Sequence, residues 1–259
     1  MSLVFAGITP HPPLLIPNIG KEKIDLINKT KEALESLEKE IYVSKAQLII
    51  VISPHSSLYK ESFSVNANTH FVSAYDNFGD LSTVRDWKGS PDFAAKLSQA
   101  CKTKKINLQL GSQEKLDHGA TVPLFYLTNH LKDVQILPLG YSHRNAMEHI
   151  HFGEILKDVI EEDHRRIAVI ASGDLSHKLP KKKSKKENFD EKLIYLIKEK
   201  LIGSILDLDS SESLKNAEEC GYRSILILLG VLKETDYSFE SSTYEHPFGV
   251  GYLTGSFDF

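Results

Sequence analysis

The sequence predicts an α/β fold, a three-layer α/β/α sandwich with a mainly parallel central sheet. Two observations carry this. Short, wholly apolar runs such as Gln47–Ser53 (QLIIVIS) and Ile167–Ala171 read as strands buried on both faces. Amphipathic stretches at helical spacing separate them, and strands alternating with helices imply βαβ units. The 259 residues, 41% hydrophobic and 25% charged, are ordinary for a globular chain and exclude disordered, collagen-like and membrane classes. No Pro/Gly/Ser-rich linker interrupts the sequence, so residues 1–259 are expected to form a single domain.

The elements follow in order. Leu3–Ile8 is a short apolar strand that stops at Pro10, Pro12 and Pro13. It has no basic leader, so it reads as a first strand rather than a signal peptide. From Lys21 to Tyr42, Ile24, Ile27, Leu34, Leu37 and Ile41 make the apolar stripe of a helix. Gln47–Ser53 is the second strand, and Phe63–Ala67 is a third. Ser90–Cys101 is a helix opening on a Ser N-cap with Pro91 in the first position. A helix over Thr121–Leu131 follows a loop at Asp117–Gly119. Val134–Tyr141 is a strand, Arg144–Glu162 a helix and Ile167–Ala171 a strand. Phe189–Ile202 and Glu218–Leu232 read as helices, and two strands, Tyr237–Tyr244 and Gly249–Phe257, close the chain.

Charge and cysteine content narrow the function classes. A net charge of −4 argues against nucleic acid as partner, and the cluster Lys181–Lys186 (KKKSKK) reads as a solvated loop or a flap near a pocket. Nothing approaches the roughly 18 apolar residues of a membrane span. Cys101 and Cys220 are too few for a disulfide framework, so a cytoplasmic location is expected. Ser53, Ser56 and Ser172 lack a G-x-S-x-G elbow, which disfavours a serine hydrolase.

The histidines point to chemistry. His11 (GITPHPP), His55 (ISPHSS), His118 (LDHGATVPL) and His177 (ASGDLSHKL) sit beyond or close to strand ends, in turn-like contexts. The carboxyl edge of an open α/β sheet is where ligands collect, so residues far apart in sequence meet in one crevice. His143, His149, His151 and His164 lie on or beside a charged helix and are expected to face solvent. Two imidazoles and one carboxylate on one face of a metal leave open positions for substrate and oxygen. Glu218, Glu219 and Glu245 are the late carboxylates available, with Glu218 and Glu219 at a predicted helix start, where acids also serve the helix dipole.

PHPPLLIP, ISPHSS, LDHGATVPL, SGDLSH and the closing PFGVGYL, in that order, resemble the LigB-like superfamily of class III extradiol ring-cleavage dioxygenases. The resemblance implies Fe(II) held by His11, His55 and Glu219, with His177 as acid/base and His118 lining the substrate pocket. It implies a small catechol-like aromatic substrate cleaved with O2, and a homodimer is plausible in such a family. Two departures matter. Asp174 stands where the ring-cleaving enzymes often have glycine, which is closer to Memo-type relatives and LigB-like domains associated with AMMECR1 domains. ECGYRS also sets Glu219 beside Cys220, the Cys-Gly region of Memo relatives. A thiolate there would favour a softer metal, and Zn2+ accepts the same His and Glu donors. The alternative implied is a Memo-like metal-binding protein without ring-cleaving activity.

Overall fold

A computed structural model describes residues 2–131, 133–179 and 188–259, so the Lys181–Lys186 run lies outside the described residues. The elements in order are β1 (Leu3–Thr9), α1 (Pro17–Gly20), α2 (Asn28–Ser44), β2 (Leu48–Ser53), β3 (Phe63–Asn66), β4 (His70–Ser73), β5 (Asp86–Gly89), α3 (Pro91–Thr103), β6 (Leu108–Gly111), β7 (Lys115–Leu116), α4 (His118–Leu127), β8 (Gln135–Gly140), α5 (Ala146–Glu161), β9 (Ile167–Ser172), α6 (Phe189–Lys198), α7 (Ile202–Asp207), α8 (Glu212–Ala217), α9 (Tyr222–Val231), β10 (Ser238–Glu245) and β11 (Tyr252–Asp258).

The strands form one mixed sheet in the order β10-β11-β1-β9-β2-β8-β5-β4-β7. At its centre β1, β9, β2 and β8 run parallel, with Ile50 level with Val169 and Leu137. Beyond β8 the sheet forks. The first residues of β8 pair in parallel with β5, and its last pair antiparallel with β3, which carries β6.

Period-two alternation makes the layers. Leu48, Ile50 and Ile52 of β2 join Val169 of β9 in a core closed by α3, α5 and α9, whereas Ile49 and Val51 face Leu37 and Ile41 of α2 and Leu124 of α4. All six residues of β2 are buried, as are all six of β9. Each such aliphatic side chain contributes roughly 1.5–3 kcal/mol on burial. On one face α5 and α9 touch backbone to backbone. A Cβ on Gly230 would lie 2.2 Å from the Ile150 carbonyl oxygen. No helix among the described residues is long and apolar enough to cross a membrane.

Several expectations shift. The helix expected from Lys21 begins as a 3-10 segment over Lys21–Ile27, and α2 starts at Asn28. The helix expected from Glu218 starts at Tyr222, because Glu218 adopts a left-handed conformation (φ 50°) that ends α8. Of the helix expected over Phe189–Ile202, Phe189–Lys198 forms α6, and Ile202 opens the separate helix α7. His149 is fully buried rather than solvent-facing, since it shares the inward stripe of α5 with Ala146, Ile150 and Gly153. Cys101 is a buried core residue of α3.

Candidate metal centre

The order β1-β9-β2 decides which loops meet. The carboxyl ends of these three adjacent parallel strands deliver His11, the Gly173–His177 segment and His55 to one edge of the sheet. The start of α4 adds His118 from the side. Asp117 caps α4 by accepting from the Ala120 N–H (3.1 Å), and it also accepts from Ser53 Oγ at 2.5 Å, so the helix start is fastened to the end of β2. Gly119 is required at this seam, since a Cβ there would sit 2.4 Å from Ser53 Oγ and 3.1 Å from the His55 ring. Gly173 plays the same part on β9, where a Cβ would lie 2.0 Å from the Cα of Gly221.

The imidazoles converge. His11 Nε2 lies 3.1 Å from His55 Nε2. Two nitrogens sharing an ion at ~2.1 Å, with an angle between right and tetrahedral, are roughly 3.0–3.4 Å apart, so this spacing suits a common cation. His118 stacks on His55 with ring centroids 4.2 Å apart, and its own outer edge meets Phe78. His11, His55 and His118 are the group of three, among the described residues, whose ligand atoms lie within 4.8 Å of one another. Burial pushes the pKa values of His11 and His55 down, and that of His118 down to about 3. All three rings are therefore neutral at pH 7, the form that binds metal.

The remaining residues sort themselves around this group. Asp174 is buried. Its Oδ1 accepts from the His11 backbone N–H at 2.9 Å, and its Oδ2 lies 3.9 Å from His177 Nε2. Asp174 holds the His177 pKa above its ordinary value, even against partial burial. Burial opposes ionisation of the Asp174 carboxyl, but the neighbouring His11 and His177 keep its pKa below the usual range. The His177 segment is braced from below by Asp190, a buried carboxylate that accepts from the Ser176 N–H and hydroxyl and from Tyr244 OH.

The late carboxylates and Cys220 behave differently. Glu219 turns its carboxylate onto the backbone N–H of Tyr222, at the first turn of α9, and burial pushes its pKa up to about 7. It is not brought into the three-histidine group. Glu218 pairs with Lys178, and Glu245 accepts from Thr30 N–H and Oγ1 at the start of α2. The Cys220 Sγ, by contrast, lies 3.6 Å from His11 Nε2 and 4.0 Å from His177 Nε2. Burial raises the pKa of its thiol, so a thiolate forms there only against a cation. Next to His55 and His118 opens a cavity of about 610 Å3, lined also by Ser57, Tyr59, Asn66, Phe78, Gln113 and Lys115.

Ser53 and Ser172, which lack a hydrolase elbow, turn out to belong to this site in another capacity. Each ends a central strand shortly before a site histidine, and both hold the start of α4.

The model of the family described as "Catalytic LigB subunit of aromatic ring-opening dioxygenase" matches residues 6–255. Protein CA_C1420 of Clostridium acetobutylicum is 27% identical over 97% of this chain, which spans 57% of that relative's length. A MEMO1 family protein of Methanosarcina mazei is 25% identical over 81% of both chains. The 4,5-DOPA dioxygenase extradiol of Mirabilis jalapa is 20% identical over 58% of this chain and 55% of its own. The crystal structure of the uncharacterized protein JW3007 from Escherichia coli K12 shares the fold, with a TM-score of 0.67 at 16% identity over 98% of this chain and 99% of that one. With a family match running from β1 to β11 and its strand-end histidines gathered at one edge, the chain belongs to the family of the catalytic LigB subunit of aromatic ring-opening dioxygenases.

Proposed function

We propose that the protein is a non-haem Fe(II)-dependent extradiol dioxygenase acting on a small catechol-like aromatic substrate. The facing Nε2 atoms of His11 and His55, 3.1 Å apart beside a cavity of about 610 Å3, carry this reading. Two neutral imidazoles and an anionic third donor suit Fe(II) and leave positions for substrate and O2. Bound iron would supply activation of O2 and of the chelated catechol. The protein's own part is proton handling and placement. His177 accepts a catechol proton at Nε2, and Asp174 stabilises the imidazolium until the proton returns to the opened product. His118, neutral and stacked on His55, donates or accepts a hydrogen bond at the cavity wall. Phe78 and Tyr59 flank the space where an aromatic ring would lie.

The test is electron paramagnetic resonance of anaerobic Fe(II)-loaded protein with nitric oxide, with and without catechol. A high-spin iron–nitrosyl signal that shifts with catechol is the expected result. His11→Ala and His55→Ala should each abolish it, and intact iron binding in both variants would overturn the ligand assignment.

One observation favours a second reading, a Memo-like metal-binding protein without ring cleavage. Cys220, not Glu219, sits beside His11. At bond lengths of ~2.1 Å to nitrogen and ~2.3 Å to sulfur, a tetrahedral ion places the two donors about 3.6 Å apart. Metal binding lost in Cys220→Ser and kept in Glu219→Gln would support this reading, and the reverse pattern would support the dioxygenase set.

A further inference from the structure

The placement of Ser172 at the end of β9 has a consequence for His11 that the ligand set alone does not contain. Pro123 lies inside α4 and has no N–H to give the carbonyl four residues back, which is that of Gly119. That carbonyl is met from outside the helix. Ser172 Oγ, fully buried, approaches it at 2.5 Å. Two bare oxygens at that distance would repel, so the hydroxyl proton of Ser172 lies on this line. A serine has one proton to donate and two lone pairs. With the proton committed to Gly119, Ser172 can only accept from its other neighbour, His11 Nδ1, at 3.0 Å.

We propose that Ser172 is a positioning residue that sets the tautomer of His11. Resting on the metal-ligand reading of His11 above, the network Pro123–Gly119–Ser172 keeps the His11 proton on Nδ1 and presents the Nε2 lone pair to the ion site. The missing N–H at Pro123 is thereby part of the site, because any other residue there would offer the Gly119 carbonyl the helix's own N–H. That bond would leave the Ser172 proton free to turn to Nδ1, which moves the imidazole proton to Nε2 and blocks coordination. The anchor is symmetric about β9 and β2. Ser53 fastens the Asp117 side chain, and Ser172 fastens the Gly119 carbonyl two residues on, so both strand ends are tied to the same helical turn.

The experiment uses the full chain in its metal-free state at pH 8, where the His11 imidazole is neutral. Two-bond 1H–15N correlation spectra distinguish protonated from bare ring nitrogens, and His11→Gln assigns the signals. The wild type should show His11 with Nδ1 protonated. Ser172→Ala should show a mixture or the opposite tautomer, and bind Co2+ or Zn2+ 10–100-fold more weakly in a competition titration, roughly the usual scale for loss of an outer-shell partner of a ligand histidine. Ser172→Thr, which keeps the hydroxyl, should restore both readouts. A wild type with Nε2 protonated overturns the proposal outright, whether or not any variant folds. Unchanged tautomer and affinity in Ser172→Ala overturn it as well. A wild type that shows the Nδ1 tautomer but binds no divalent cation upholds the hydrogen-bond network and defeats the metal reading instead, so the two failures are distinct.

Discussion

His149 is a buried titratable group whose cost can be worked out and measured. It sits on the inner stripe of α5 with no exposed surface, its Nδ1 2.8 Å from the Asn145 carbonyl, its Nε2 3.1 Å from that of Ser142, and its ring edge-on to Phe63. Burial pushes its pKa down to about 4 from 6.5, with Arg223 pushing the same way and the two carbonyls pulling back. In the unfolded chain the ring takes a proton below about pH 6.5, whereas the folded ring resists until about pH 4. The unfolded state binds more protons in that window, so this contribution is fully present above pH 6.5 and is lost as the pH falls toward 4. A gap of roughly 2.5 in pKa, at 1.36 kcal/mol per unit, is about 3 kcal/mol in full, of which about 2 kcal/mol is lost by pH 5.

The perturbation is His149→Gln, which keeps one donor for a carbonyl and does not titrate. Urea unfolding of the metal-free protein at pH 7.5 and pH 5.0 gives the stability gap between wild type and variant. The gap should shrink by about 2 kcal/mol on going to pH 5.0, since only the wild type carries the penalty. A gap that stays constant between the two pH values would refute the reasoning. So would a His149 ring that is doubly protonated at pH 7 by NMR, which would mean that two carbonyl acceptors outweigh burial.

Other perturbations test packing and charge. Gly230→Ala forces a Cβ to 2.2 Å from the Ile150 carbonyl oxygen and 2.9 Å from Gly153 Cα, so α9 must back away from α5; thermal or urea unfolding should show a loss of at least about 2 kcal/mol. Gly173→Ala drives a Cβ into Gly221 and should displace the Cys220–Gly221 turn, so divalent-ion affinity falls in a titration even if circular dichroism is unchanged. Asp163 is held well below the usual carboxylate range by hydrogen bonds from Arg165 and by Lys96. Its stabilisation is present above about pH 4 and lost as the pH falls further, so Asp163→Asn should cost about 2–3 kcal/mol at pH 7 and progressively less below pH 4 in acid unfolding curves.

Much of the fold was legible because its centre is simple. β2 and β9 are buried on both faces, so nearly every residue is apolar and no alternation has to be decoded. The far side of the sheet was not. β4, β5, β6 and β7 are two to four residues long, and their mixed or half-exposed positions leave no period to read. His149 was legible in principle. Its spacing of three from Ala146 and four to Gly153 is that of the buried stripe, and only the polarity of its ring argued for the surface. The start of α9 failed for another reason. Acidic residues ahead of an apolar run resemble a helix opening, but Glu218 closes the preceding helix in a left-handed conformation, a fact set by how α8 meets the segment after β9 rather than by composition.

The site divides along the same physical line. His11 and His55 follow strands that announce themselves, and the rule that ligands gather at the carboxyl edge needs only strand positions, not side-chain directions. Choosing a third candidate donor needs directions. Glu219 and Cys220 are neighbours in one turn, and the distance from SGDLSH, on which the sequence reading prefers Glu219, locates the turn but not which side chain faces the histidines. What separates them is the backbone around them. The N–H groups of Cys220 and Gly221 both bind the Asp174 carbonyl, and the Cys220 sulfur accepts from the Asp174 N–H at 3.3 Å. That arrangement pins the turn to the end of β9 and aims Sγ at His11, while the next free N–H, that of Tyr222, takes the Glu219 carboxylate. The Asp174 side chain holds the His11 backbone and biases His177, while its main-chain N–H and carbonyl, which any residue would supply, pin the turn that points Cys220 toward the imidazoles. What the departure from a glycine adds in three dimensions is a buried carboxylate that ties down the His11 backbone and raises the His177 pKa.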